Sequence, residues 1–323
     1  MAPRHRRVTF PPQTWRRSQG RRHFVSRCRC ATMNASDARR GTIMDTSLPM
    51  PTLDHVVINL RDQIDAGLAC WRRLGFTMTP RGYHTLGSMN HLAILGSEYL
   101  ELIAAAPGDT RRAEILAAPC GLNGLVFATE DSAGVYEALH AAGVAVEPPL
   151  EFSRPVELSG GPKDARFRTV RLTSGTVSAG RIYFCHHFTR DLVWRDEWRH
   201  HANGATGIVR AVIAAREPSG LAGVFRSMFG PDAVQRSGTG YSLVVGLSRF
   251  DIVTMEQLAR EFADAAPRDE RPEFMAALTV RTRSLELAAG ALGAGSVEGL
   301  RREPDRIVVA ATEAFGVALE FRA

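Results

Sequence analysis

His55 and Glu101 are side chains of a metal-binding type, set in two short segments whose other residues are mostly apolar or β-branched. Residues 54–60 and 99–103 alternate in the manner of β-strands. Because successive strand residues point to opposite faces, one face can carry both side chains while the apolar residues between them cover a helix. Imidazole nitrogen and carboxylate oxygen suit a divalent first-row metal, and three protein ligands leave positions open for substrate or water.

His91 is one candidate for a third ligand. It lies in the strand-like segment 90–95. If Leu92 and Ile94 pack against the helix, the alternation of this strand directs His91 to the face that carries His55 and Glu101. The alternative is that His91 contacts only substrate or packs among its neighbours.

The segments that must position these residues form a series of one strand, one helix and three strands. After the first strand, residues 63–74 place apolar side chains at helical spacing, and Gly75 ends the predicted helix. Three strand-like segments follow, over residues 76–80, 90–95 and 99–103.

This series recurs along the chain, with first strands that begin near residues 54, 123, 207 and 277. A sheet that buries one face on its own helices must close its other face against a partner module, so paired modules enclose a pocket. The predicted fold class is therefore α+β, with four βαβββ modules paired in two tandem domains. We expect an arginine-rich, disordered leader over residues 1–48, a first domain over residues 49–200 and a degenerate second domain over residues 201–323.

At these residues the chain resembles the vicinal oxygen chelate superfamily, and most closely its glyoxalase-like branch. The resemblance rests on Asp54-His-Val-Val-Ile, on Gly75-Phe76, on Gly87-Ser-Met-Asn-His-Leu-Ala-Ile and on Tyr99-Leu-Glu-Leu-Ile. Members of this superfamily include glyoxalase I, extradiol dioxygenases and bleomycin-resistance proteins. The resemblance implies metal ligands from the first and fourth strands of a module, which correspond to His55 and Glu101.

The second module departs from the superfamily pattern, because aligning it with the first places Gly124 where His55 stands. This departure argues against glyoxalase I activity itself. The last strand of the second module ends instead in His186 and His187. We predict His187 as the third metal ligand, since paired modules enclose one pocket and the second wall should contribute to holding the ion.

Four further residues are candidate substrate contacts. Arg154 and Arg166 flank a loop rich in glycine, where a guanidinium group can clamp a carboxylate through two hydrogen bonds. A solvated charged hairpin is the alternative reading of these arginines. Asn90 and His201 are the other two candidates. The C-terminal part of the chain beyond His201 has no histidine, so a site that uses histidine belongs to the first half or to the junction.

The net charge of +6 comes from the leader, because residues 1–44 hold eleven arginines and one acidic residue. This charge is better explained by a disordered extension or an upstream start codon than by a nucleic-acid or membrane surface, although an organelle transit peptide has a similar composition. The five cysteines form no disulfide framework. We therefore expect a cytoplasmic protein, a monomer or homodimer, that binds neither nucleic acid nor membranes.

Two functions from different classes fit this sequence. The first is a metal-dependent lyase, isomerase or dioxygenase that acts on a small, oxygen-rich organic substrate with iron, manganese, zinc or nickel. The second is a binding protein without catalysis that sequesters a small molecule in the same pocket. The ligand position lost at Gly124 favours the second function, whereas His55 with Glu101 favours the first.

Overall fold

The computed structural model describes residues 48–323, which form two eight-stranded sheets. The predictions for the leader lie outside the described residues. Each sheet contains two successive βαβββ modules, so the predicted fold class is confirmed. The predicted boundary at residue 200 falls between the two sheets, and the independence of two domains stays a prediction.

The first sheet is built around two antiparallel central strands, β1 and β5. Its first module consists of β1 (Leu53–Asn59), α1 (Ile64–Arg73), β2 (Gly82–Tyr83), β3 (Ser88–Ile94) and β4 (Tyr99–Ala105). A short helix α2 (Ala113–Ala117) leads to β5 (Gly121–Ala128), α3 (Ser132–Ala141), β6 (Leu150–Val156), β7 (Lys163–Arg171) and β8 (Arg181–His187). The strand order is β2-β3-β4-β1-β5-β8-β7-β6.

The second sheet repeats this arrangement. Its strands and helices are β9 (Ala205–Ala215), α4 (Pro218–Phe229), β10 (Val234–Ser237), β11 (Gly240–Val245), β12 (Ser248–Thr254), α5 (Met255–Phe262), β13 (Glu273–Thr282), α6 (Leu285–Ala294), β14 (Leu300–Glu303), β15 (Arg306–Val309) and β16 (Ala318–Arg322). The order β10-β11-β12-β9-β13-β16-β15-β14 matches the first sheet strand for strand.

Helix α1 shows how the sequence specifies one module. Ile64 and Trp71 lie on its buried face, while Arg72 and Arg73 in the last turn interact favourably with the helix dipole. Gly75 then adopts a positive φ of 86°, a conformation that glycine tolerates best, and turns the chain back towards the sheet. The helix thereby covers one face of the sheet and leaves the other face free to line a site.

The helix-covered faces of the two sheets share one hydrophobic core. Phe127 in β5 contacts two residues of the second half, with ring centroids 5.0 Å from Phe229 and 5.7 Å from Phe250. Phe76 and Phe321 stack across the same boundary, with centroids 6.1 Å apart. The opposite faces of the two sheets therefore point away from this shared core.

In the second sheet that opposite face is filled by α5. Leu258 and Phe262 of this helix are buried in a separate apolar cluster with Val212, Phe274 and Val308 of the strands. The carboxylates on this face are paired with arginines, since Asp251 accepts a hydrogen bond from Arg210 and Glu320 accepts one from Arg306 at 2.8 Å. Within residues 48–323, no helix is long and apolar enough to cross a membrane.

Candidate metal centre

A β-bulge in β1 places Asp54 beside His55. Leu53 pairs with Phe127 and His55 with Val126, so two steps along β1 oppose one step along β5, and Asp54 is the extra residue. The buried Asp54 Oδ1 accepts a hydrogen bond from His55 Nδ1 at 2.5 Å. Because Nδ1 donates to a carboxylate, the neutral His55 ring carries its lone pair on Nε2.

The Asp54 carboxylate also accepts a hydrogen bond from His187, whose Nε2 donates to the same Oδ1 at 3.0 Å. Burial opposes ionisation of Asp54, but the two histidines outweigh it and hold the pKa of this carboxyl well below its usual range. His187 thus lies on the face of β8 that was predicted, but its ring contacts Asp54, the carboxylate that also holds His55. The structure places it beside Asp54 and the rings of Tyr99 and Trp194.

Glu101 on β4 faces His55 across the inner side of the first sheet. Its Oε2 lies 3.7 Å from His55 Nε2, and its Oε1 accepts a hydrogen bond from Asn90 Nδ2 at 2.7 Å. Burial raises the pKa of Glu101, but His55, His84 and the Asn90 amide together lower it below the usual value. The structure therefore brings His55, Glu101 and Asn90 together, with Glu101 ionised.

His84 follows β2 and lies on the other side of Glu101. Its Nε2 is 3.9 Å from Glu101 Oε1, and its Nδ1 hydrogen-bonds the Ser88 hydroxyl at 2.9 Å. Asn90 Nδ2 lies 3.3 Å from His84 Nε2, so one amide donates to both His84 and Glu101. Burial lowers the pKa of His84 to about 4, so its ring is neutral near pH 7.

The predicted alternation of β3 is wrong, and His91 lies on the opposite face. Leu92 and Ile94 pack in the inner cluster with Tyr99, while Ala93 belongs to the helix-covered core. His91 Nδ1 instead bonds the Thr79 carbonyl oxygen at 2.8 Å. Apolar residues occur at both odd and even positions of β3, so the sequence does not indicate which set faces inwards. Asn90 and Ser88 take the inner positions.

Arg166 and His201 also lie away from the cavity. Arg166 alternates with the inward residues Ala165 and Phe167 of β7, so its side chain is 59% exposed beside Phe188. His201 is buried at the junction with both ring nitrogens engaged. Its Nδ1 accepts from the Thr77 amide at 3.0 Å and its Nε2 lies 2.8 Å from the Ile94 carbonyl oxygen.

The inner face of the first sheet encloses a cavity of about 640 Å³. Strands β2 and β6 are its edges, and the sheet curls until they meet, with Thr85 N donating to the Ser153 carbonyl oxygen at 2.9 Å. Among the residues that line the cavity are His55, His84, Asn90, Glu101, Arg154 and Tyr183. A volume of this size suits a small organic ligand.

The strand pairing shows why the second module lacks the first ligand. Aligning Leu53-Asp-His with Leu122-Asn-Gly matches Gly124 with His55, and the antiparallel register of β1 and β5 agrees, since His55 lies opposite Val126 and Gly124 opposite Val57. A Cβ atom built on Gly124 would lie 2.9 Å from Val57 Cβ, closer than such contacts allow. The local packing therefore excludes a histidine here unless the strands move.

The position that corresponds to Glu101 is Tyr183. Glu101 pairs with Val57 across β1–β4, as Tyr183 pairs with Val126 across β5–β8. The Tyr183 hydroxyl lies 3.2 Å from His55 Nε2, where it donates to the ring lone pair. Burial raises the pKa of Tyr183, so the phenol keeps its proton at neutral pH. The second module thus supplies a hydrogen-bond donor in place of a carboxylate.

Asp54, Cys185 and His187 form a second group with ligand-type atoms within 4.8 Å of one another. They border a smaller space of about 530 Å³ on the far side of Asp54. A metal there would compete with both histidines for the Asp54 carboxylate. Burial also raises the pKa of the Cys185 thiol well above its usual value, which disfavours the thiolate that binds metals. The His55 side is chemically the better centre.

The donor set on the His55 side fits a divalent first-row metal. Two ligands that each lie about 2.1 Å from one ion are at most about 4.2 Å apart, and each histidine meets this limit with Glu101, at 3.7 Å from His55 to Oε2 and 3.9 Å from His84 to Oε1. The three side chains do not bring one ligand atom each within 4.8 Å of the other two, so a side chain would have to turn to complete the set. Asn90 Oδ1 is buried without a partner among the described residues.

The sequence of residues 53–229 matches the family model described as a glyoxalase-like domain. This match covers both modules of the first sheet and continues through β9 and α4. The chain belongs to the glyoxalase-like domain family. It is thus a glyoxalase-like member of the vicinal oxygen chelate superfamily, as the sequence resemblance predicted. No curated protein matches the chain in sequence.

Solved structures share the fold of this glyoxalase-like protein at low sequence identity. A hypothetical protein from Staphylococcus aureus is 12% identical with a TM-score of 0.58, over 84% of this chain and 99% of that one. A mutant of 4-hydroxymandelate synthase from Streptomyces coelicolor is 12% identical with a TM-score of 0.50, over 85% and 92%. A xylose isomerase-like TIM barrel/4-hydroxyphenylpyruvate dioxygenase fusion protein is 14% identical with a TM-score of 0.53, over 85% and 49%.

Sequence reasoning missed His84 and Asp54 as site residues. His84 lies next to a two-residue strand, and Asp54 precedes a histidine in a strand whose alternation directs it outwards. The signal for Asp54 was the Asp-His pair itself, because a carboxylate beside a metal-binding histidine commonly orients its ring. The signal for His84 was weaker, since no periodicity surrounds it.

Proposed function

We propose that this glyoxalase-like protein is a metal-dependent enzyme that acts on a small, oxygen-rich organic molecule in the cavity of the first sheet. One arrangement carries the proposal. The Asp54 carboxylate fixes His55 with its Nε2 lone pair towards the cavity, and Glu101 lies 3.7 Å from that nitrogen. A carboxylate that orients a histidine facing another carboxylate is a common support for a bound divalent metal.

His55, Glu101 and His84 would hold the ion, and Asn90 would stay beside them to orient Glu101. When bound, a divalent ion polarises two neighbouring substrate oxygens and stabilises the negative charge that develops on them. In the first sheet, His187 supports this set through its hydrogen bond to Asp54. His187 would thereby orient Asp54 instead of serving as the third metal ligand predicted from the sequence.

Tyr183 is the residue of the second module with the clearest chemical role. Its phenol is buried, keeps its proton and points to His55 Nε2. If that nitrogen held a metal, the hydroxyl would be free to donate to an oxygen of the substrate. A fixed donor in a site of low polarity stabilises developing oxyanion charge. This role suits a lyase, an isomerase or a dioxygenase.

Metal titration of the full chain tests the proposal. Glu101→Gln should weaken binding of Mn²⁺, Fe²⁺, Zn²⁺ or Ni²⁺ at least about 100-fold, because one protein ligand is lost. Glu320→Gln is the matched control, since Glu320 occupies the last strand of its own module and is paired with Arg306 and Arg322. Equal metal loss in both variants, or none in Glu101→Gln, contradicts the metal site at His55.

A binding protein without catalysis is the second candidate, and Gly124 is the observation that favours it. The second module offers no metal ligand at Gly124 and a phenol at Tyr183. On this alternative, the protein would hold its small molecule equally well before and after treatment with a chelator. Metal-dependent turnover, or binding that needs the metal, would exclude it.

A further inference from the structure

Ser88, the first residue of β3, connects His84 to an arginine from the segment between the two modules. Ser88 is 2% exposed, and its Oγ lies 2.9 Å from His84 Nδ1. Arg112 Nη1 donates to the same Oγ at 2.6 Å. The three side chains therefore form a hydrogen-bonded series that ends on Nδ1 of His84, while Nε2 of that ring lies 3.9 Å from Glu101 Oε1.

Arg112 is fixed by contacts on the segment that carries it. It lies immediately before α2, it is 6% exposed, and its Nε donates to Glu114 at 2.6 Å. The end of α2 is anchored to β1, because Asn59 Nδ2 donates to the carbonyl oxygens of Ile115 and Pro119, each at 3.0 Å. The connection between the modules thus holds the guanidinium group that contacts Ser88.

The Asn90 amide indicates which tautomer of His84 is present. The ionised Glu101 carboxylate only accepts hydrogen bonds, so the Asn90 atom 2.7 Å from its Oε1 is the amide nitrogen. The same nitrogen lies 3.3 Å from His84 Nε2, and an amide nitrogen only donates, so Nε2 is the acceptor. The neutral ring then carries its proton on Nδ1 and donates it to Ser88. One lone pair of the Ser88 hydroxyl accepts from His84 and the other accepts from Arg112.

We propose that Ser88, held by Arg112, is a positioning residue for His84, as Asp54 is for His55. In both pairs the partner accepts from Nδ1, which leaves the Nε2 lone pair of the ring free to bind a divalent ion. The partners differ in charge, since Asp54 is a carboxylate and Ser88 is a neutral hydroxyl beside a cation. The inference rests on the proposed function, because His55 and His84 are two of the ligands proposed there.

Proton–nitrogen correlation spectra of the metal-free full chain, with isotopically labelled histidine, test the tautomer. The signals of His84 are those that disappear in His84→Ala. They should show a protonated Nδ1 and an unprotonated Nε2 at neutral pH, because Ser88 accepts from Nδ1. A His84 ring protonated on Nε2 would overturn the proposal. This measurement needs no metal, so its outcome does not depend on the proposed function.

A double-mutant cycle, measured by Mn²⁺ titration of the full chain, tests the positioning role. Ser88→Ala should weaken Mn²⁺ binding about 10–100-fold, the usual effect of removing a partner that orients a ligand. In a His84→Ala background the same substitution should cause no further loss, because Ser88 acts through that ring. Ser248→Ala is the matched control and should leave Mn²⁺ binding unchanged. Ser248 is a buried serine of the second sheet whose hydroxyl donates to the Ile208 carbonyl oxygen at 2.6 Å.

Unchanged Mn²⁺ affinity in Ser88→Ala, or an equal loss with and without His84, would overturn the proposal. The melting temperatures of metal-free Ser88→Ala and Ser248→Ala should fall by similar amounts, so a loss of Mn²⁺ binding in Ser88→Ala alone is not an effect of folding. Glu101→Gln in the same titration distinguishes the two proposals. If Glu101→Gln loses Mn²⁺ and Ser88→Ala does not, the proposed metal site stands and the role of Ser88 is wrong.

Discussion

Asp54 is the residue on which the candidate centre most depends. It ligates nothing in the proposed centre, yet its carboxylate sets the tautomer and the direction of His55 and also holds His187. A histidine without such a partner can turn or change tautomer, so the lone pair that faces Glu101 would be lost part of the time. The chemistry of His55 is therefore a property of the bulge that brings Asp54 alongside.

Asp54→Asn should weaken divalent metal binding about 10–100-fold, the usual effect of removing a partner that orients a ligand. Asparagine has the same shape as aspartate but lacks the negative charge that attracts the N–H groups of His55 and His187. Asp65→Asn on the exposed side of α1 serves as the control. Unchanged metal affinity in Asp54→Asn would show that His55 does not need this carboxylate.

His84 and His91 allow a direct comparison, because they are close in sequence but lie on opposite faces of the first sheet. His84 Nε2 lies 3.9 Å from Glu101, whereas His91 bonds the Thr79 carbonyl oxygen on the helix side. His84→Ala should therefore reduce metal affinity more than tenfold, and His91→Ala should leave it unchanged. Titration of both variants with Mn²⁺ or Zn²⁺ measures this. The reverse pattern would restore the alternation predicted from the sequence.

At the scale of elements, the sequence predicts the central strands and the helices well and the edge strands poorly. β1, β4, β5 and β8 lie where alternation predicts them, and Glu101 faces the cavity as expected. In the first module the second strand is misplaced, since the sequence places it at residues 76–80 whereas β2 covers Gly82–Tyr83. Like β6, β10 and β14, β2 is the edge of its sheet. An edge strand has one neighbour and little buried apolar surface, so its sequence lacks the periodic signal.

The weak sequence signal of edge strands explains why some site residues could be predicted from the sequence and others could not. His55 and Glu101 lie on strands with strong alternation, so their face could be predicted. His84 follows the two-residue strand β2, and Arg154 lies on the edge strand β6. The bulge at Asp54 depends on the register between β1 and β5, which no local pattern in either strand specifies.

Helix α5 distinguishes the two sheets. In the second sheet it fills the space on the inner face, whereas the corresponding space in the first sheet is a cavity. Phe262→Ala should lower the free energy of unfolding by about 3–5 kcal/mol, since this ring is fully buried against the second sheet. Leu247→Ala, at a position that is 81% exposed, is the control and should change it little. Urea unfolding measures both. Metal affinity of the folded Phe262→Ala protein should stay unchanged, and a loss would connect α5 to the site.

At the scale of the whole molecule, the two halves depend on each other through one core. Phe127 of the first sheet packs on Phe229 and Phe250 of the second. His201 joins the halves, because it lies in the connection and bonds Thr77 and Ile94 of the first module. The sequence predicted the four modules, but the spatial arrangement of the pairs depends on long-range contacts that a repeat does not encode.

Stability should therefore decrease in mild acid through His201. Burial lowers the pKa of His201, and its Nδ1 must stay unprotonated to accept from Thr77. The unfolded chain takes up this proton more readily, so the stabilisation is complete above about pH 6.5 and decreases as the pH falls below that value. Between about pH 7.5 and pH 5, the native chain should lose more unfolding free energy than His201→Gln. The exposed His140→Gln is the control, and equal losses in all three proteins would refute this role.

Anomalous diffraction from crystals equilibrated with Mn²⁺ would show whether the metal lies between His55 and Glu101. We expect one strong peak within bonding distance, about 2.0–2.2 Å, of His55 Nε2 and a Glu101 oxygen, with His84 as the third ligand. A peak between Asp54, Cys185 and His187 would contradict it and would place the metal on the far side of the bulge.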